Sequence, residues 1–200
     1  MSYLDMTPIQ LDALKEVGNI GAGNATTALS QLLSKKVEMT VPAVNILPFN
    51  EVFSNNGTEK VVIGIIVRVL GDTPGNILFI IEKETAFKII KSLTGEESKQ
   101  LTDMGQSVLC EIGNIIASSY MNAIAKFTNL LITPSVPAVC CDMLGAILST
   151  TFIESGQFDE QVLDLETKFL QDTQEEENGH FYYIPMPGSL EKILNTLGVK

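Results

Sequence analysis

The chain repeats itself. Residues 9–44 align with residues 104–139 without a gap, with eleven identities in thirty-six positions. They include Leu14/Leu109, Glu16/Glu111, Gly18/Gly113, Asn19/Asn114, Ile20/Ile115, Ala22/Ala117, and Val41-Pro42-Ala43-Val44 against Val136-Pro137-Ala138-Val139. Further on, 87–93 echoes 191–197, and the offset has grown from 95 to 104. Nine extra residues therefore belong to the second half, and the acidic run Glu175-Glu176-Glu177 is a natural place for some of them. A repeat of this length constrains the fold more than any motif does, because the same supersecondary unit must find its burial partner twice.

Each half reads as long helix, strand, strand pair and short helix. Thr7-Pro8-Ile9-Gln10 offers an N-cap threonine, a proline at the first helical position and a capping-box glutamine; Asp103 and Gln106 repeat the spacing. Leu11, Leu14, Gly18, Ala22, Ala25, Leu29 and Leu32 then form a helical apolar stripe. Val37-Glu38-Met39-Thr40-Val41 alternates as a strand with one buried face. Residues 61–70 and 77–81 flank Gly71-Asp72-Thr73-Pro74-Gly75 and read as a hairpin, with a short helix over 85–93. The second half predicts strands near 162–170 and 181–184 and a helix over 189–197. Three strands and two helices make a thin half, and a small sheet rarely stands alone. The expectation is one α+β domain over 1–200, from repeats of about 1–100 and 101–200. They would fuse about a pseudo-two-fold axis into a largely antiparallel sheet of about six strands, with two long motif-bearing helices.

Charge and residue usage narrow the function. The formal net charge of −11 opposes nucleic acids and anionic membranes as main partners. No uninterrupted apolar run reaches 18 residues, and the N-terminus lacks a signal-peptide pattern, so a cytoplasmic protein is expected. The cysteines, Cys110, Cys140 and Cys141, have no metal-ligand spacing, so no metal site is expected. Cys110 falls in a helical apolar pattern and reads as core. The lone histidine, His180, follows Gly179 in an expected turn, and the acidic run reads as a solvated loop.

The repeat also carries a polar face. Asp12, Glu16 and Asn19 fall at i, i+4 and i+7, as do Ser107, Glu111 and Asn114, so each trio shares one helix face, largely opposite the apolar stripe. Twenty-two residues separate Asn19 from Pro42 and Asn114 from Pro137. Other positions have drifted: Lys15 stands against Cys110, Asn24 against Ser119 and Gln31 against Lys126. Asparagine is an indifferent helix former, so its retention mid-helix in both copies asks for a reason beyond solvation.

The pattern Asp/Ser-x3-Glu-x2-Asn-x22-Pro, matched in full twice, resembles that of the CheC/CheX/FliY phosphatases, and the contexts 16–23 and 111–117 resemble the CheC type within it. The resemblance spans essentially the whole chain. FliY-like members carry a further flagellar-switch domain and CheX-like members are shorter with one site. The resemblance implies a phosphatase for the aspartyl phosphate of the phosphorylated response regulator CheY. It needs no cofactor of its own, because the Mg2+ ion belongs to CheY. Asn19 and Asn114 would orient the attacking water, since an amide offers both an acceptor and a donor. Glu16 and Glu111 would act as bases or, more in keeping with their position one turn away, pair with a lysine of the regulator. Asp12 and Ser107 would touch the partner, and Pro42 and Pro137 would be structural, ending strands. Residues 142–147, beginning at Asp142, match the region expected to dock the receptor deamidase CheD.

Three other readings are open. Gly18-x2-Gly21-x-Gly23 faintly resembles a nucleotide loop but follows no strand, and close helix packing explains it better. The chain could be a module that grips phosphorylated CheY or CheD without catalysis. Glu16 and Glu111 could form a hydrolytic carboxylate pair, which requires them within roughly 10 Å across one cleft.

Overall fold

The computed structural model describes residues 6–48, 57, 59–98, 100–155, 161–171 and 176–199; residues 42–43, 46–48, 155, 161–171 and 176–179 are described by their backbone alone. Helix α1 spans Pro8–Leu33, strand β1 Val37–Pro48, β2 Val61–Gly71, β3 Gly75–Glu82, α2 Lys83–Thr94 and α3 Asp103–Thr128. They are followed by β4 Ile132–Pro134, β5 Ala138–Met143, α4 Leu144–Ser155, β6 Gln161–Gln171, β7 Glu176–Pro185 and α5 Ser189–Thr196.

The start of α1 is as the sequence predicts. The Thr7 hydroxyl accepts from the Gln10 N–H, and the Gln10 side chain accepts from the Thr7 N–H at 2.9 Å, closing a capping box. In α3 the cap is Thr102 rather than Asp103, and its hydroxyl accepts from the Gly105 N–H at 3.1 Å. Glycine at that third position leaves no side chain to reciprocate. Asp103 instead places its charge in the first turn, where the helix dipole favours an anion.

The strands form one antiparallel sheet in the order β1-β6-β7-β3-β2-β4, with β5 also paired to β2. The fold is therefore α+β, with five helices among the described residues. Among the described residues the sheet has seven strands where the sequence suggests about six, because the outer strand beside β2 is divided. Pro134 pairs with Val69 and Ala138 with Ile66, so three residues, 135–137, face two on β2. The same surplus of one occurs on the opposite edge. Thr40 pairs with Lys168 and Ala43 with Glu166, leaving Val41 and Pro42 opposite Thr167 in a β-bulge.

Both faces of the sheet are covered. Ile63, Ile65, Val67, Ile77, Phe79, Phe181 and Tyr183 pack beneath α1, α2, α3 and α5. The alternate residues Val62, Leu78, Ile80, Tyr182 and Ile184 pack beneath Leu144, Ile147, Leu148 and Phe152 of α4. This explains the nearly unbroken apolar runs of β2 and β3, since strands buried on two sides lose the alternation of a half-exposed strand. By contrast, β1 alternates as expected: Val37, Met39 and Val41 are buried, Glu38 and Thr40 exposed. Helix α3 is long and apolar enough by composition to cross a bilayer, yet its apolar face is spent on the sheet. Its Tyr120 ring stacks on Phe181 of β7 at 4.2 Å between centroids. A Cβ on Gly21 would lie 3.0 Å from Tyr120, so the α1 glycine serves the close approach of α1 to α3; at Gly23 there is open space.

Several expectations need correction. The sequence reading takes 142–147 only as an amphipathic segment and assigns no helix there; Leu144, Ile147, Leu148 and Phe152 fall at i, i+3, i+4 and i+8 and form the buried face of α4. His180 lies inside β7, half-buried and 5.8 Å between ring centroids from Tyr182, and not in a turn. β7 starts five residues earlier than expected, because its backbone pairs with β6 back to Glu176 opposite Leu170. Glu176 and Glu177 thus open a strand, whereas Glu175 lies outside the described residues.

A polar clamp joins distant segments at the β2–β3 turn. The Asp72 N–H donates to the Leu131 carbonyl at 2.8 Å, and the Leu131 N–H donates to Asp72 Oδ2 at 2.8 Å. Lys192 of α5 donates to Asp72 Oδ1 at 2.9 Å. Gly71 precedes it at φ 103°, where a Cβ would fall 2.2 Å from the Leu131 carbonyl oxygen. The Lys192 hydrogen bond, then the Leu131 N–H, hold the Asp72 carboxyl below the usual carboxylate range. A depressed folded-state pKa adds stability above the unfolded value, and that stability is lost as pH falls through the folded value. Asp72→Asn should lower the urea midpoint at neutral pH, and the difference from the parent should shrink as pH drops below about 4.

Candidate functional site

The first acid-amide face lies on α1. Asp12 and Glu16 are exposed and Asn19 is half-buried. Asn19 reaches β1, where its Oδ1 accepts from the Val41 N–H at 3.0 Å. That N–H is available because Val41 sits in the bulge, off the β6 ladder. Pro42 beside it has no N–H to satisfy. Pro42 therefore lies within β1, at the bulge, and does not end the strand, which runs on to Pro48.

The second face lies on α3. Ser107 and Glu111 are exposed, Asn114 half-buried. The Ser107 hydroxyl donates to the Asp103 carbonyl at 2.9 Å. Asn114 Oδ1 accepts from Ser118 Oγ at 3.4 Å. Between this face and residues 134–137 opens a groove of about 690 Å3, lined by Ser107, Cys110, Glu111 and Asn114 on one side and by Ser135, Val136 and Pro137 on the other. Pro137 stands in the gap before β5. Cys110, expected in the core, is half-buried at this groove, and its thiol donates to the Pro137 carbonyl at 3.5 Å. Burial pushes the Cys110 thiol up, so it remains a protonated donor at neutral pH rather than a nucleophile.

Glu16 and Glu111 lie one turn from the amides, and among the described residues neither has an ion-pair partner. A carboxylate so placed is free to meet an incoming cation. The motif faces do not converge. Asn19 is tied to β1 and Cys110 to the segment before β5, and β1 and β5 occupy opposite edges of the sheet. Five strand spacings separate those edges, about 24 Å. A shared carboxylate cleft is therefore not what the fold builds. Among the described residues no group of three or more His, Cys, Asp or Glu is placed to hold a metal ion. Asp142 lies apart from both faces, exposed near the end of β5, with its Oδ1 accepting from the Met143 N–H at 2.7 Å. Only the first part of 142–147 is open, because Leu144 and Ile147 of α4 are buried against the sheet.

Sequence reasoning missed the Val41 N–H and the groove residues Ser135 and Val136. The available signal was the invariant Asn-x22-Pro spacing, which measures the chain needed to run from the helix face back to the bulge. Gly113 sets the second face at its height: a Cβ there would meet Ile65 Cγ2 at 2.4 Å and Pro137 Cβ at 3.5 Å. Gly113→Ala should therefore push α3 off β2 and cost about 1–3 kcal/mol, measurable by urea denaturation.

The CheC-like family matches residues 9–46 and 104–140, the two stretches that hold both motif faces, the β1 bulge and the gap between β4 and β5. The chain is 38% identical to the CheY-P phosphatase CheC of Bacillus subtilis (strain 168), over 94% of this chain and 94% of that protein. In fold it is similar to the FliY crystal structure from Thermotoga maritima, with a TM-score of 0.81 at 21% identity over 97% of this chain and 98% of that one. The middle domain of FliM from H. pylori gives a TM-score of 0.68 at 15% identity, covering 96% and 99%.

Proposed function

This chain belongs to the CheC-like family, and from that membership and the two acid-amide faces we propose that it is a chemotaxis phosphatase hydrolysing the aspartyl phosphate of phosphorylated CheY at two surface sites. The observation that carries the reading is the Asn19 contact with the bulge: an amide placed on a surface helix and held by the backbone rather than left to solvent.

The chemistry asks little of the protein beyond position. Water attacks phosphorus in line, the bond to the aspartyl oxygen breaks, the carboxylate leaves and inorganic phosphate departs. Mg2+ stays with CheY and neutralises charge there, so the phosphatase needs no cofactor of its own. An amide oxygen has two lone pairs; Val41 occupies one on Asn19, and the other can accept from water. The NH2 group donates to water or to a phosphoryl oxygen. Asn114 has the same inventory. Glu16 and Glu111 pair with a lysine of the regulator and fix its register, with Asp12 and Ser107 touching its edge. CheD docks where Asp142 and Met143 stand exposed beside α4. Phosphorylated CheY places the chain in the cytoplasm.

The same reading takes residues 1–200 as one domain built by duplication. Exchanging β1 with β4/β5, β2 with β6 and β3 with β7 turns the strand order β1-β6-β7-β3-β2-β4/β5 into its own reverse, as a two-fold relation requires.

Phosphate release from phosphorylated CheY tests the assignment. The double variant Asn19→Ala/Asn114→Ala should lose about 100-fold or more in rate, because misplacing the reacting group costs that much; full activity in the double variant would sink the reading. Tight binding of phosphorylated CheY without release would identify a gripping module instead. For the carboxylates, Glu16→Lys/Glu111→Lys should weaken CheY binding far more than Glu16→Gln/Glu111→Gln. A Gln pair that abolishes turnover at unchanged affinity would make them bases.

A further inference from the structure

The tetrapeptide Val-Pro-Ala-Val stands at 41–44 and again at 136–139, at the same distance from the motif asparagine. Identical residues take two settings. Val41 is 1% exposed, and its N–H donates to Asn19 Oδ1 at 3.0 Å. Val136 is 88% exposed, and among the described residues the oxygen of Asn114 accepts only from Ser118 Oγ, at 3.4 Å. What differs is the edge strand: 41–44 run within the unbroken β1, whereas 136–137 stand in the gap between β4 and β5. The Ser135 N–H donates to the Arg68 carbonyl at 2.9 Å, and the Ser135 Oγ accepts from the Arg68 N–H at 2.9 Å. Residue 135 is thereby bound to β2, as Thr40 is paired with Lys168 on β6, but Val136 beyond it lies outside both strands, exposed beside the groove.

We propose that the two sites are unequal: the Val41 N–H is a positioning group that holds the Asn19 carboxamide ready, whereas Asn114 must be ordered at each encounter. The Asn19 site therefore turns over faster. This rests on the phosphatase reading of both motif copies. A backbone N–H has no rotamers, and the buried Val41 side chain fixes the peptide that carries it. One lone pair and both amide hydrogens of Asn19 then face the partner in a set plane. Asn114 is restrained only by a hydroxyl that itself rotates. Ordering a mobile side chain on binding costs a factor of about 2 to 10, and that factor is what the Asn19 site has in hand.

The test measures phosphate release by the full chain at saturating phosphorylated CheY, alongside amide hydrogen exchange at Val41 and Val136. Asn114→Ala should keep about 2 to 10 times the kcat of Asn19→Ala, at similar KM. The Val41 amide should exchange slowly in the parent and at least about ten times faster in Asn19→Ala, with Val136 fast in both, since a lost hydrogen bond is worth about that factor or more. An amide-to-ester replacement at Val41 removes the N–H and keeps the side chain; placed in the Asn114→Ala chain it should lower kcat and leave KM in place, which a merely structural role would not do. Equal kcat in the two alanine variants, or a Val41 amide indifferent to Asn19→Ala, overturns the proposal while leaving the phosphatase reading intact. A parent chain that releases no phosphate overturns that reading, and unequal turnover with it.

Discussion

β1 finds its hydrogen-bond partner in β6, more than a hundred residues away, and not in the strands that follow it. That pairing places the two halves of the chain in each other's sheet. β3 and β7 become the centre, β1 and β4/β5 the edges, and neither half retains a complete sheet when considered alone. The helices follow the edges. α1 turns back over β1 and α3 over β4 and β5, so the two polar faces are carried to opposite sides of the molecule.

The edge strands then shape the chemistry. An ordinary edge strand presents its free N–H groups to solvent, a liability that bulges reduce. Here the bulge also turns one N–H inward to a helix. The glutamate meets solvent while the amide one turn on meets the backbone, so one helix face sets an exposed carboxylate beside an anchored amide. This division explains why an asparagine, poor in helix propensity, is kept where a better helix former would fit. Its carbonyl has a backbone partner that a hydrocarbon side chain would leave unsatisfied, at a cost of about 1–3 kcal/mol.

Much of this was legible before any coordinates. Thr7 and Gln10 announced the start of α1, the alternation at 37–41 announced a half-buried strand, and Gly71 to Gly75 announced a hairpin. The candidate site residues stood out because the motif recurs, and internal symmetry separates what is retained from what has drifted. The misses share a cause. Cys110 looked like core because apolar periodicity cannot tell a buried face from the wall of a groove. His180 looked like a turn residue because Gly179 precedes it, yet pairing with Glu166 and Ile80 overrode that local signal.

The sequence by itself determined that two stretches of the chain resemble each other, that each bears Glu and Asn on one helix face, and that a proline follows after twenty-two intervening residues. These are local facts, set by spacing along one chain. Tertiary structure alone decided that β1 crosses to β6, that the two faces stand at opposite edges, and that Val41 is buried against its asparagine while Val136 is not. The tetrapeptides are identical, so no property of their residues could separate them. The difference lies in the edge each one joins: β1 runs unbroken through 41–44 against β6, whereas the edge beside β2 is divided at 135–137, which is settled only once the strands have paired.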